Sequence, residues 1–144
     1  MTVLIDSNVI VGFLKGDEAT IAMVERIASD LTPLFVSSIT VYEIYLGIIA
    51  NLYIKGGRPP VVPQLLSEYK HFLLKITILP FDREAAERAA DIRAQSLGKG
   101  LSIKEKDCQI AGIALAHGVS SVLTRDKDDF QKIMDLTGLP FSSF

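Results

Sequence analysis

The chain has 144 residues, enough for one domain with a core of its own. Apolar residues make up 49% of it and charged residues 22%, which excludes a disordered chain and leaves apolar surface to spare for an interface. A formal charge of −2 excludes nucleic-acid binding through bulk charge, so such a role needs local basic patches or metal ions.

One cysteine, Cys108, excludes an intrachain disulfide and a cysteine zinc site. The start "MTVLIDSNVIVGFLKGDE" shows no basic leader and no small-residue cleavage site. No apolar run reaches membrane-spanning length. A cytoplasmic protein with no membrane contact is expected.

Thr2–Ile5 reads as a first strand, and Ser7–Leu14 as a short helix stopped near Gly12 and Gly16. Asp17 is placed to cap a second helix, in which Ile21, Val24 and Ile27 follow helical spacing. Pro33–Ser37 is a short apolar strand. Ile39–Ile54 is a long helix, ended by Gly56, Gly57, Pro59 and Pro60. Pro63 opens the next helix, with Leu65, Leu66, Tyr69 and Leu73 on one face. Thr77–Leu79 is a third strand. Asp82 caps the helix "REAAERAADIRAQSL", and Ser102 with Glu105 has capping-box spacing for a helix running to Gly118. Ser121–Thr124 is a fourth strand, Asp128–Leu136 a last helix, and Leu139–Phe141 an edge strand. Short strands alternating with helices argue for a parallel sheet covered on both faces.

Four carboxylates are out of place on this pattern. Asp6 ends a buried strand, where a residue either caps the next helix or serves a ligand beyond the strand ends. Glu43 sits in "SSITVYEIYLGIIANLYI" among Ile39, Leu46 and Gly47, with no charged neighbour on its face. Asp107 shares its face with Ile103, Ile110, Ala111 and Ala114, the stripe expected to meet the sheet. Asp126 repeats the position of Asp6, with Asp128 and Asp129 competing to cap the following helix. Converging carboxylates repel unless cations join them, and all-oxygen donors select Mg²⁺ or Mn²⁺ over zinc. Phosphodiester hydrolysis is the chemistry such a site serves.

Four stretches, "LIDSNVI", "SSITVYEIYLG", "SIKEKDCQIAGIALAHG" and "VLTRDKDDF", come in an order that resembles the PIN domain, and at this length the VapC toxin ribonucleases of toxin–antitoxin pairs. The resemblance covers essentially the whole chain. It implies a single domain over residues 1–144, an α/β fold built as a three-layer α/β/α sandwich around a parallel sheet of four to five short strands. It implies Mg²⁺- or Mn²⁺-dependent cleavage of single-stranded RNA by a metal-activated water, and an antitoxin protein as partner. The family's catalytic, metal-binding acids fall on Asp6, Glu43, Asp107 and Asp126. Thr124 matches a hydroxyl residue beside the last acid, and Asn8 a polar residue that steadies the first. Many family members carry Asn at the position of Asp126, and Asp129 is then a substitute.

Lys104, Lys106, Arg125 and Lys127 lie near these acids in sequence, to hold an RNA backbone or to compensate charge. His117, before Gly118, is placed to meet the last helical carbonyls, and His71 reads as a surface residue. "IYLGIIANLYIKGG" is apolar nearly all round, and with the Leu65–Leu73 face it suits a second copy in a homodimer, an antitoxin, or both. Two other functions compete. An aspartate-based phosphotransferase or phosphatase needs a second acid where Asn8 stands. A non-catalytic PIN-like RNA- or protein-binding module has no need of the full acidic set.

Overall fold

The computed structural model describes residues 1–144. Five short strands form one sheet: β1 (Val3–Ile5), β2 (Leu34–Ser37), β3 (Thr77–Leu79), β4 (Ser121–Leu123) and β5 (Phe141–Ser142). All pairings are parallel, in the order β3-β2-β1-β4-β5. Val3 of β1 lies opposite Leu34 on one side and Ser121 on the other. Between the strands run α1 (Ser7–Leu14), α2 (Glu18–Ser29), α3 (Ser38–Tyr53), α4 (Val62–Leu73), α5 (Arg83–Gly98), α6 (Glu105–Ala116) and α7 (Lys127–Thr137).

The period of a strand sorts these helices into two layers. Leu4 points to one face, where it meets Ile92 of α5, Ile110 of α6 and Ile133 of α7. Val3 and Ile5 point to the other, against Val9, Val24, Ile44 and Tyr69 of α1 to α4. The expected three-layer α/β/α sandwich is thus present. Consecutive strands β1 and β2 are neighbours, but β4 adds on the opposite side of β1. The carboxyl ends of β1 and β4 therefore flank the point where strand order reverses, the usual place for a site in such sheets.

Several boundaries differ from the sequence reading. Gly12 lies inside α1, where Thr20 of α2 leaves no room for a Cβ. β5 begins at Phe141 because Leu139 is buried in the core and Pro140 contributes only its carbonyl, to Val122 N–H. A 3-10 turn, Pro59–Val61, precedes α4. The Ser102–Glu105 capping box does not form: Lys104 is the N-cap of α6 and offers no side-chain cap bond. Instead Asp129 Oδ2, from α7, accepts the Lys104 backbone N–H at 2.9 Å. His117 also differs, since its Nε2 lies 3.2 Å from the Pro80 carbonyl and 3.4 Å from Asp82 rather than at the end of its own helix.

Helix α6 is buried on every side from Ile110 to Ala114. Gly112 makes this possible, because a Cβ there would lie 2.5 Å from the Ala85 carbonyl oxygen and 2.9 Å from Ala89 Cβ of α5. Gly112→Ala is expected to push α5 off α6 and destabilise the protein by roughly 1–3 kcal/mol despite its better helix propensity. Denaturant unfolding checks this. An unchanged or higher midpoint would show that α5 moves freely.

Candidate active site

Asp6 is fully buried, and its surroundings explain why a carboxylate tolerates that position. Its backbone N–H donates to the Leu123 carbonyl at 2.9 Å, continuing the β1–β4 ladder by one bond. Its side chain caps α1 by accepting from Ser7 N at 2.7 Å. Ser7 Oγ (3.3 Å) and Asn8 Nδ2 (3.4 Å) donate to it as well, and Thr124 Oγ donates at 2.8 Å. Asp6 thus caps α1, and its carboxylate stands at the carboxyl end of β1, beside the point where strand order reverses. Thr124 Oγ in turn accepts from Asp126 N at 2.9 Å, and Asn8 Oδ1 accepts from Arg125 N at 3.1 Å. Thr124 and Asn8 together tie the end of β1 to the turn after β4.

Glu43 arrives from α3. Ser37, the last residue of β2, caps that helix through Thr40 N, so α3 starts directly at the sheet edge. Glu43 lies about one and a half turns in and pairs with Lys106 Nζ at 3.1 Å. Its Oε1 is buried without a hydrogen-bond donor.

Asp107 is the third residue of α6, where a capping-box acid would turn back to the N-cap N–H. Asp129 already serves that N–H. Asp107 is released from the task and faces the cluster, fully buried, with neither oxygen meeting a donor. Carboxylate oxygens of Asp107, Asp126 and Asp129 all lie within 4.8 Å of one another. Asp126 is also the N-cap of α7, and its Oδ2 meets Lys104 Nζ at 2.7 Å.

This crowding appears in the proton affinities. Burial, then Asp126 and Asp129, push the Asp107 carboxyl up to about 9. Burial also raises Asp6, against the bonds from Thr124 and Ser7. Asp126 is opposed by burial too but ends below the ordinary value, because the neighbouring Asp107 keeps the proton for which the two carboxyls compete and Lys104 donates to the ionised form. Buried, donor-free oxygens facing two further carboxylates fit a hard divalent cation, with Asp107, Asp126 and Asp129 to hold it.

The structure therefore brings Asp107 and Asp126 together and adds Asp129, while Asp6 and Glu43 engage protein donors on the adjoining side. Lys104 and Lys106 are paired with acids. Arg125 is held by Asp17 (3.1 Å), Thr20 (3.2 Å) and the Phe144 ring (4.4 Å). Lys127 is exposed.

Comparison with known proteins agrees with this architecture. The family model described as "PIN domain" matches residues 3–136. VapC ribonuclease Y4jK of Sinorhizobium fredii is 34% identical over 131 residues, 90% of either chain. Toxin FitB of Neisseria gonorrhoeae is 32% identical over 130 residues, 89% of this chain and 90% of that one. The structure of DNA-bound VapBC from Salmonella typhimurium superposes with a TM-score of 0.82 at 23% identity, over 99% of this chain and 98% of that one. With a family match running from β1 into α7 and relatives above 30% identity along nearly the full length, the chain belongs to the PIN domain family.

Proposed function

We propose that the chain is a divalent-metal-dependent endoribonuclease that cleaves single-stranded RNA, the toxin of a VapBC-type toxin–antitoxin pair, folded as a single domain and acting in the cytoplasm. The observation that carries this reading is Asp107: a buried carboxyl without donors, facing Asp126 and Asp129 at the switch point of a PIN sheet. Relatives named as VapC ribonuclease and toxin supply the reaction class.

Asp107, Asp126 and Asp129 hold Mg²⁺ or Mn²⁺. When bound, the ion supplies Lewis acidity, lowering the pKa of a water and neutralising charge on the phosphate. Asp6 and Glu43 complete the acidic edge from β1 and α3. Thr124 and Asn8 fix Asp6 relative to Asp126, so the edge keeps its shape when charge changes. Exposed Lys127 is free to meet an RNA phosphate.

The test is incubation of labelled RNAs with the purified chain in Mn²⁺ or in EDTA, with mapping of the cut ends. Cleavage in Mn²⁺ alone is expected. Mn²⁺ should also raise the melting temperature, since an ion bound by the folded chain stabilises it by linkage. RNA left intact under both conditions, with no thermal shift, would leave a binding module in place of an enzyme.

The exposed face of α3 indicates a partner. Tyr42, Tyr45, Leu46 and Tyr53 are 66%, 45%, 52% and 81% exposed. A second copy of the chain covers this face in a homodimer, and an antitoxin covers the groove of Val11, Leu14, Ile48 and Leu65 that leads to Glu43. Light scattering at micromolar concentration should give twice the chain mass, as a stable interface buries about 1,200–2,000 Å². A monomer mass would hand the α3 face to the antitoxin as well.

A further inference from the structure

The two lysines at the acidic edge differ in kind. Lys104 approaches Asp126 from the rim with its side chain 63% exposed. Lys106 turns inward, 35% exposed. Its ammonium lies 3.1 Å from Glu43 Oε2 and 3.4 Å from Ser7 Oγ, and it faces Asp6. A lysine near a helix start ordinarily runs out to water, and the helix dipole there disfavours a cation. Only the surrounding acids account for its direction.

Donor capacity divides the edge into two halves. A carboxylate has about four lone-pair sites. Those of Asp6 are matched by Ser7 N, Ser7 Oγ, Asn8 Nδ2 and Thr124 Oγ. Glu43 has the Lys106 ammonium. The oxygens of Asp107 meet no donor at all. Charge points the same way. Once an ion has displaced the Asp107 proton, Asp6, Glu43, Asp107, Asp126 and Asp129 set five negative charges against Lys104 and Lys106, so the edge carries minus three before the ion is counted. One divalent ion brings that to minus one. A second would overshoot and sit against the ammonium, which repels it.

We propose that Lys106 is the resident cation of the Asp6–Glu43 half, so that the free chain takes one divalent ion, at Asp107, Asp126 and Asp129, and not two. The inference rests on the metal-dependent reading above and specifies how that reading's site is filled.

Titration of the metal-free protein with Mn²⁺, followed by calorimetry and by the paramagnetic signal of unbound Mn²⁺, counts ions per chain. Wild type is expected to bind one. Lys106→Met removes the ammonium but keeps most of the stem, and should admit a second ion. Lys106→Arg retains the charge and should stay at one. Lys104→Met makes the same charge change at the rim, and should stay at one with tighter binding. Two ions of similar affinity in wild type, or a single ion at any affinity in Lys106→Met, would overturn the proposal while leaving the metal-dependent reading intact. No Mn²⁺ bound by any chain would overturn both. Should Lys106→Met fail to fold, Glu43→Gln and Asp129→Asn decide the matter. The first should keep the wild-type ion with little change, and the second should weaken it by about tenfold or more. Equal weakening in both overturns the division.

Discussion

Glu43→Gln and Asp107→Asn are each expected to lower RNA cleavage by about a hundredfold or more, because a small misplacement of reacting groups costs that much. Each keeps the shape of its side chain and removes one charge. The loss spreads because ion, Lys106 and phosphate share one electrostatic arrangement. Combining the two should cost little beyond either alone, since groups that act as a unit are not additive. Asp6→Asn should be as inactive, and less stable as well. Four donors converge on Asp6, and an amide NH₂ would meet one of them head on. A donor left without its acceptor costs roughly 1–3 kcal/mol. Asp126→Asn should be milder, because an amide oxygen can still cap α7. Glu105→Gln is the control: Glu105 is exposed at the first position of α6, two residues from Asp107. Loss of cleavage in Glu105→Gln, with Asp107→Asn active and still metal-dependent, would overturn the assignment.

Asp6, Glu43 and Asp107 were legible in the sequence for one physical reason. Each is a charge on a strand end or helix face whose other residues are apolar, so periodicity exposed the conflict. Asp129 and Lys106 produced no such conflict. Asp129 stands beside Asp128 in the first turn of α7, where acids complement the helix dipole and need no other account. Its burial comes from the N-terminus of α6, twenty-odd residues back in the chain, folding onto it. Lys106 sits between Glu105 and Asp107 in a stretch that reads as a solvated helix start. Its inward turn depends on where α3 places Glu43. The capping box at Ser102 misled for a related reason: local spacing was right, but a carboxylate from another helix took the N–H. Local pattern thus gave the layers, the strand alternation and the acids that break the pattern. It could not give partners supplied by tertiary approach.

The metal-free Asp107→Asn protein is expected to be more stable than wild type, by a margin that grows with pH. In the folded wild type, burial and then Asp126 and Asp129 push the Asp107 carboxyl up to about 9, against 3.8 ordinarily. Between those values the folded chain keeps a proton that the unfolded chain has released. Stability falls as pH rises wherever the folded state binds more protons. The contribution from this proton is therefore complete below about pH 4 and lost progressively up to about pH 9. Asp126 acts in the opposite sense, its carboxyl being lowered, but its effect is confined to acid below the ordinary carboxylate range. Asparagine does not titrate, and its NH₂ can donate to Asp126 and Asp129 at every pH. Melting curves of metal-free protein should nearly coincide at pH 4 and separate at pH 8, with the variant higher. Saturating Mn²⁺ should then narrow the gap, because wild type gains about 2.7 kcal/mol at a hundredfold excess over its dissociation constant and the variant gains little. Parallel pH curves, or a variant less stable than wild type at pH 8, would show that the Asp107 carboxyl is not confined among its neighbours. A gap narrowed by Mn²⁺ would show the opposite: the same crowding that destabilises the free chain is what holds the ion.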